Sequence, residues 1–332
     1  MSGGARSRGW GGPVLPAVLT LLLAVVGPAA AQVRLTILGG VVGGAGYQQA
    51  VGLHQVILDH LRGVAVPTVQ GTPGYGANAQ RLAQGLGDIA VVVTVDGFQV
   101  LERRPPYTDA RKFPLQMYPT NPPLYVHFIA KQASGIRGFA DLNGKRINVL
   151  TRGSLAEAVG TRLLEVLRIR PSRLYHFPHS EAAAGLQSGD IDAVVAGGIA
   201  PPYGEVGLRE PLRVLSLTDE EVALVRERLP QVPVAEADFS EAYRGAGRAR
   251  VLAPWAVMAA RHDLEADLVY RITKAVFDNF ATVVSIYKPA EGLTPRTVLE
   301  TGYPLHPGAL RYYREVGVRV PASMQPPAGL PR

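Results

Sequence analysis

Three glycine-rich junctions constrain this chain most. Each follows an apolar run and opens a helical pattern, and they lie near Gly44, Gly74 and Gly153. Strands alternating with helices require α/β layers. In such sheets ligands bind outside the carboxyl ends of the strands. The most punctuated junction is Gln70-Gly71-Thr72-Pro73-Gly74-Tyr75-Gly76-Ala77-Asn78. N–H groups at a helix start lack partners within the helix, and the helix dipole adds partial positive charge there. An anion is a natural guest of such a loop. The same glycines also suit a tight surface turn, so the loop alone reads either way. Two junctions belong to the N-terminal part and one to the middle part, which puts the expected cleft between two domains.

The rest of the chain fits this alternation. Leu35 to Leu38 reads as a buried strand, and Ala50, Leu53, Ile57 and Leu61 recur at helical spacing after it. Val64 to Val69 and Ile89 to Val93 are further strands. Thr94 to Pro123 is rich in Pro, Tyr and Arg and shows little periodicity. Leu124 to Ala130 and Ile147 to Leu150 read as strands, and Ser154 with Glu157 forms a capping box for a helix from about Leu155 to Leu167. Thr218 to Leu229 is a charged helix, Pro230 to Arg250 is polar and irregular, and Ala249 to Met258 is one more strand. Leu268 to Val284 is an amphipathic helix. Leu82-x-x-Gly85-x-x-Asp88-Ile89-Ala90-Val91-Val92 is echoed by Leu186-x-x-Gly189-x-x-Asp192-Ala193-Val194-Val195. A helix ends at Gly and the chain turns into a buried strand, as if one supersecondary unit were used once in each of two similar domains.

The first 31 residues read as a leader. Arg6 and Arg8 precede an apolar run from Val14 to Val26, and Ala29-Ala30-Ala31 supplies small residues before a cut at Gln32. The run is short for a bilayer span, so an uncleaved anchor is the second reading. The mature chain is then 332 less 31, or 301 residues, long enough for two cores. It contains no Cys, so an exported chain of this kind holds together by apolar packing without disulfides. Its net charge is +5, from 32 basic residues (34 less the leader's two) against 27 acidic ones. The charge is dispersed, which gives no nucleic-acid footprint and a weak preference for an acidic ligand.

Catalytic and metal chemistry find little support. No G-x-S-x-G, G-x-G-x-x-G or G-x-x-x-x-G-K-[ST] pattern fits the loops. His176 and His179 lack an obvious third ligand, and His54 and His60 are six apart and so do not share a helix face. Ser154 reads as a cap. Asp88 and Asp192 read as turn residues. The expectation is no catalytic residue, no metal and no cofactor.

At this point the ordered motifs resemble a known family. Gly43 to Tyr47, Thr72 to Asn78, Asp141 to Val149 with Gly153-Ser154, Gly189 to Ala193 with Gly197-Gly198, Asp267 to Tyr270 and His306 to Tyr313 are similar to the successive signatures of TAXI-type solute-binding proteins, the extracytoplasmic receptors of TRAP transporters. The resemblance runs from about Val33 to Val318. It implies an α/β, type II periplasmic-binding-protein fold, with two lobes joined by hinge strands at about Leu124–Ala130 and Arg250–Met258. Lobe I would take residues 32–125 plus 256–322 and lobe II residues 126–255, with a disordered tail over 323–332. It further implies a periplasmic monomer that is not an enzyme and that closes on a small solute. The solute would be an amino acid or organic acid, passed to the integral membrane subunits of a TRAP transporter driven by an ion gradient. A receptor of another transporter or sensor system is the alternative, and an exported hydrolase the next. The implied ligand-binding residues are Ala45, Gly46, Tyr47, Thr72, Gly74, Tyr75, Asn78, Arg152, Gly153, Ser154, Gly198 and Ile199.

All three loops depart from the family pattern. Gly44-Ala45-Gly46-Tyr47 stands for Gly-Thr-Tyr-Tyr, Tyr75 for a Ser, and Arg152-Gly153-Ser154-Leu155-Ala156 for Pro-Gly-Ser-Gly-Thr. Arg152 reads either as a carboxylate clamp beside a helix start or as a solvated rim residue. Tyr75 reads either as a stacking surface or as space-filling.

Overall fold

The computed structural model describes residues 1, 3–4, 32–152, 154–229 and 232–330. The leader assigned to residues 1–31 therefore lies almost wholly outside the described residues, as does Gly153. The strands are β1 (Val33–Gly40), β2 (Ala65–Gly71), β3 (Ile89–Val93), β4 (Pro114–Pro119), β5 (Val126–Lys131) and β6 (Arg146–Asn148). They continue as β7 (Arg173–Tyr175), β8 (Ala193–Gly197), β9 (Leu212–Val214), β10 (Val234–Asp238), β11 (Arg248–Leu252) and β12 (Ala256–Arg261). Helices α1 (Ala45–His60), α2 (Tyr75–Ala83), α3 (Thr94–Leu101) and α4 (Leu155–Val166) carry the site.

Among the described residues the strands make two sheets. One has the order β2-β1-β3-β12-β4, and the other β10-β11-β5-β8-β6-β7 with β9 beside β5. In the first, β1 is parallel to β2 and β3, and β12 runs antiparallel between β3 and β4. In the second, β6 is parallel to β7 and β8, and β5 runs antiparallel between β8 and β11. The two sheets therefore repeat one plan, and in each the antiparallel strand beside the parallel set adjoins a crossing. Each sheet with its helices forms a lobe. β3, Ile-Ala-Val-Val-Val, is buried throughout, as a central strand covered on both faces must be.

The two crossings run side by side. The Leu124 N–H donates to the Pro254 carbonyl at 2.7 Å and the Thr120 N–H to the Ala256 carbonyl at 3.1 Å. Buried Gln49, from α1, donates to buried Asn121 at 3.1 Å. The expected strand Ala249 to Met258 is thus two strands in different sheets, interrupted at residues 253–255 where Pro254 cannot donate to a ladder.

The same unit recurs in each lobe, as the sequence echo predicts. Gly85 and Gly189 both close helices in the left-handed region, at φ +78° and +87°. Asp88 then accepts from the Thr36 N–H of β1 at 2.8 Å, and Asp192 from the Arg146 N–H of β6 at 2.8 Å. A guanidinium completes each clamp: Arg261 of β12 at 3.0 Å on Asp88, and Arg146 itself at 2.8 and 3.0 Å on Asp192.

Four further expectations need correction. The segment Thr94 to Pro123 holds α3 and β4. β4 is buried along its length and is bounded by Pro114 and Pro119; it takes an edge position, where proline is tolerated. The region Pro230 to Arg250 contains β10, a partly exposed edge strand. The helix Leu268 to Val284 breaks at Asn279 into Ala266–Asp278 and Phe280–Ile286. There the Asn279 amide donates to the Ala275 carbonyl at 3.0 Å, a side-chain bond that competes with the helix ladder. The end expected to be disordered from residue 323 has Met324 buried, with its carbonyl accepting from the Leu305 N–H at 2.8 Å. No helix among the described residues is long and apolar enough to cross a membrane.

Candidate functional site

The site lies where the second junction faces the start of α4 across the lobes. Gly74 precedes α2 with φ +151° and ψ −170°, a conformation open in practice only to glycine. The chain can then turn so that Tyr75 and Gly76 begin the helix with their backbone toward the second lobe. One turn later Asn78 locks this arrangement. It is fully buried, accepts from the Thr72 hydroxyl, and donates to the Val91 carbonyl at 2.7 Å and the Leu38 carbonyl at 3.3 Å. The Thr72 N–H is held by the Gly40 carbonyl at 2.8 Å. Thr72 and Asn78 therefore spend their polar atoms tying the loop to β1 and β3, and the fully buried Asn78 side chain has no surface to offer a ligand.

Tyr75 packs against the cores of both lobes. Its ring stands against α1: a Cβ added to Gly46 would lie 2.9 Å from Tyr75 Cε1 and 2.3 Å from the Gly39 carbonyl oxygen. Gly46 and Tyr75, two positions at which the chain departs from the TAXI-type pattern it resembles, are thus neighbours in space. The side chain absent at Gly46 leaves room that the ring of Tyr75 takes up. Burial, and then Tyr287 nearby, pushes the Tyr75 hydroxyl up to about 12. Ala45 is exposed at the first position of α1, and Tyr47 is half-buried behind it.

From the second lobe, Ser154 caps α4 by accepting from the Glu157 N–H at 3.1 Å. Arg152 is exposed and makes no hydrogen bond or ion pair among the described residues. Gly198 sits at φ +80° with its N–H on the Tyr125 carbonyl at 2.8 Å, and Ile199 is 56% exposed.

Between these walls is a cavity of about 200 Å³. Pro73, Gly74, Tyr75 and Gly76 line it from one side, Ser154, Leu155 and Ala158 from the other, with Val93, Val95 and Asp96 at the end of β3. Of the implied ligand residues it gathers Gly74, Tyr75 and Ser154. Ala45, Gly46, Tyr47, Thr72, Asn78, Arg152, Gly198 and Ile199 do not line it. Asp96 escaped the sequence reading; the available signal was an acid at the carboxyl end of a wholly apolar strand. It accepts from the Tyr107 hydroxyl at 3.3 Å. Burial raises its carboxyl to about 6, against the lowering effect of that hydrogen bond.

A second hollow of about 320 Å³ shares Val95 and Ala158 with the first and carries Arg104 and Arg162, so the interlobe space continues outward. A hollow of about 530 Å³ is lined by the end of α4 with residues 167–168 and by the 219–228 helix, all of the second lobe. With walls from one lobe, it is a surface groove that hinge closure would not enclose. His176 and His179 are engaged separately, by the Leu150 carbonyl at 3.2 Å and the Tyr203 hydroxyl at 3.0 Å. The Ser154 oxygen is occupied as a cap.

Comparison with known proteins agrees with this architecture. The structure of XAC2383 from Xanthomonas citri bound to chloride ion superposes with a TM-score of 0.51 at 17% identity, over 85% of this chain and 95% of that one. The same protein bound to ATP gives 0.50 at 16%, with the same coverage. The periplasmic aliphatic sulphonate binding protein SsuA from Escherichia coli gives 0.45 at 15%, over 86% and 79%. The fold is the two-lobed α/β periplasmic-binding-protein fold of type II. The family model described as the NMT1-like family matches residues 37–317, most of the chain. This chain therefore belongs to the NMT1-like family.

Proposed function

We propose that the chain is an extracytoplasmic receptor of the TAXI type, which captures a small carboxylate-bearing solute between its lobes and delivers it to the membrane subunits of a TRAP transporter. The observation that carries this reading is the cavity of about 200 Å³ walled by both lobes beside paired crossings. It is smaller than the roughly 300–1,000 Å³ of pockets for drug-sized ligands, which suits a metabolite. The starts of α2 and α4 border it, and their free N–H groups favour a carboxylate. Hinge closure expels water and strengthens each polar contact. Gly74, Tyr75 and Ser154 are the contact residues of this reading, and Arg152, exposed and free beside the start of α4, is a carboxylate clamp at the rim.

Native mass spectrometry of protein purified from an exporting host tests the reading, followed by a thermal-shift screen of amino acids and organic acids. A receptor releases an unchanged small molecule and gains melting temperature with it through ligand linkage. Turnover of the molecule contradicts the receptor. Uptake that collapses with the ion gradient and persists without ATP supports the TRAP partner. ATP-dependent uptake contradicts that partner and leaves the receptor standing. Arg152→Ala weakens an acidic solute about tenfold if the clamp forms; unchanged affinity removes Arg152 from the site.

A further inference from the structure

The cavity wall has one charge. Of its ten lining residues, only Asp96 is ionised at neutral pH; the others are Pro, Gly, Tyr, Val, Ser, Leu and Ala. Asp96 stands in the first turn of α3, at the floor of the space between Gly76 and Ser154. A Cβ on Gly76 would lie 3.9 Å from Asp96 Oδ2, so at Gly76 no side chain stands against this oxygen. The other oxygen, Oδ1, takes the Tyr107 hydroxyl. Among the described residues no Lys, Arg or His pairs with the carboxylate. The cations of the adjoining hollow are already engaged, Arg104 with Glu102 at 2.6 Å and Arg162 with Glu165 at 2.5 Å. A partly buried carboxylate without a full counter-charge is costly, and the protein supplies only a neutral hydroxyl and the partial positive charge of the start of α3.

We infer that Asp96 is a specificity-determining residue whose missing partner is the ammonium group of the solute, so that the cleft selects amine-bearing acids over organic acids of the same skeleton. This inference rests on the cleft reading above and decides between its two solute classes. A dicarboxylate or 2-oxo acid would bring a second negative charge against Asp96 and push its proton affinity higher. An ammonium would do the reverse and make a charge-assisted hydrogen bond. The groups that face Asp96 are Tyr107 and, through the neighbouring Gly97, Tyr303. Both hydroxyls are raised above their usual range by burial, so neither titrates near neutrality. The carboxyl, poised at about 6, is ionised and able to hold a cation at pH 7.5, and becomes mostly neutral at pH 5.

The test is isothermal titration of the full mature chain with matched pairs: L-alanine and pyruvate, L-glutamate and 2-oxoglutarate, L-leucine and 4-methyl-2-oxopentanoate. The expected result is an amino acid bound at least about tenfold tighter than its 2-oxo partner, a ratio that falls toward one in Asp96→Asn. The wild-type ratio should also fall by up to about tenfold between pH 7.5 and pH 5, as the carboxyl takes up its proton. This second measurement stands even if the variant fails to fold. A 2-oxo acid bound as tightly as its amino acid, or a ratio that survives Asp96→Asn or the change of pH, overturns the role of Asp96 and leaves the receptor intact. Binding of no member of either series overturns both the inference and the carboxylate-receptor reading on which it rests.

Discussion

The two lobes are built on one plan and present different walls to the cleft. In both, a helix closes at a left-handed Gly, and an Asp then clamps the neighbouring parallel strand with help from an Arg. At the cleft the likeness stops. The first-lobe wall is bonded through Asn78 to β1 and β3, and Gly46 is packed against Tyr75. The second-lobe wall is held at its tip by the Ser154 cap, with Arg152 and Ile199 exposed beside it. The Asn78 loop, whose polar groups are satisfied internally, can keep its shape without a solute, and the exposed, unpaired side chains of the second-lobe wall can adapt to one. The first lobe therefore reads as the preorganised half of the site.

Paired substitutions can break this contrast. The largest effect is expected from Gly46→Ala, because the new methyl would meet a backbone oxygen at 2.3 Å. Urea unfolding should show a loss of about 3 kcal/mol, the upper end for overpacking. Its second-lobe counterpart, Gly197→Ala, meets nothing closer than the Ala156 methyl at 3.5 Å and should stay within about 0.5 kcal/mol. Equal losses would mean that the two walls are equally packed.

Next is Asn78→Ala. It removes the side-chain bonds to the buried Val91 and Leu38 carbonyls and should cost about 2 kcal/mol, with solute affinity falling as the loop loosens. Ser154→Ala removes one cap bond and should cost about 1 kcal/mol. The smallest effect lies far from the cleft. The hydrogen-bonded Arg146 guanidinium holds the Asp192 carboxyl below its ordinary range. Its contribution is thus fully present above the unfolded carboxyl value of about 3.9 and is lost as pH falls through the lower folded one. Unfolding midpoints in acid should drop less steeply in Asp192→Asn than in the natural chain. An identical acid limb in both would show that this clamp adds nothing through its charge.

Much of the architecture was legible because it is periodic or punctuated. The apolar run of β3, the glycines before α1 and α2, and the Ser154 cap are local signals, and the repeated Gly-to-Asp turn announced the repeated unit. What stayed hidden depends on position. β4 is buried because of its place in the sheet, and its bounding prolines disguised it. The strand read across residues 249–258 changes sheets at Pro254, which no periodicity marks. At the site, the resemblance implies Asn78 as a ligand residue, and only burial shows where its bonds go. Asp96 was missed for the opposite reason: a single acid after an apolar strand has no pattern until Tyr107 and Gly76 are brought around it.

Hydrogen–deuterium exchange of the protein, with and without a saturating solute found in the thermal screen, tests the interlobe site most directly. A solute held between the lobes slows exchange in peptides covering residues 73–76, 93–96 and 154–158, which wall the cavity, and leaves residues 224–228 of the surface groove unchanged. Protection of that groove with no change in the three cavity segments would contradict the interlobe site.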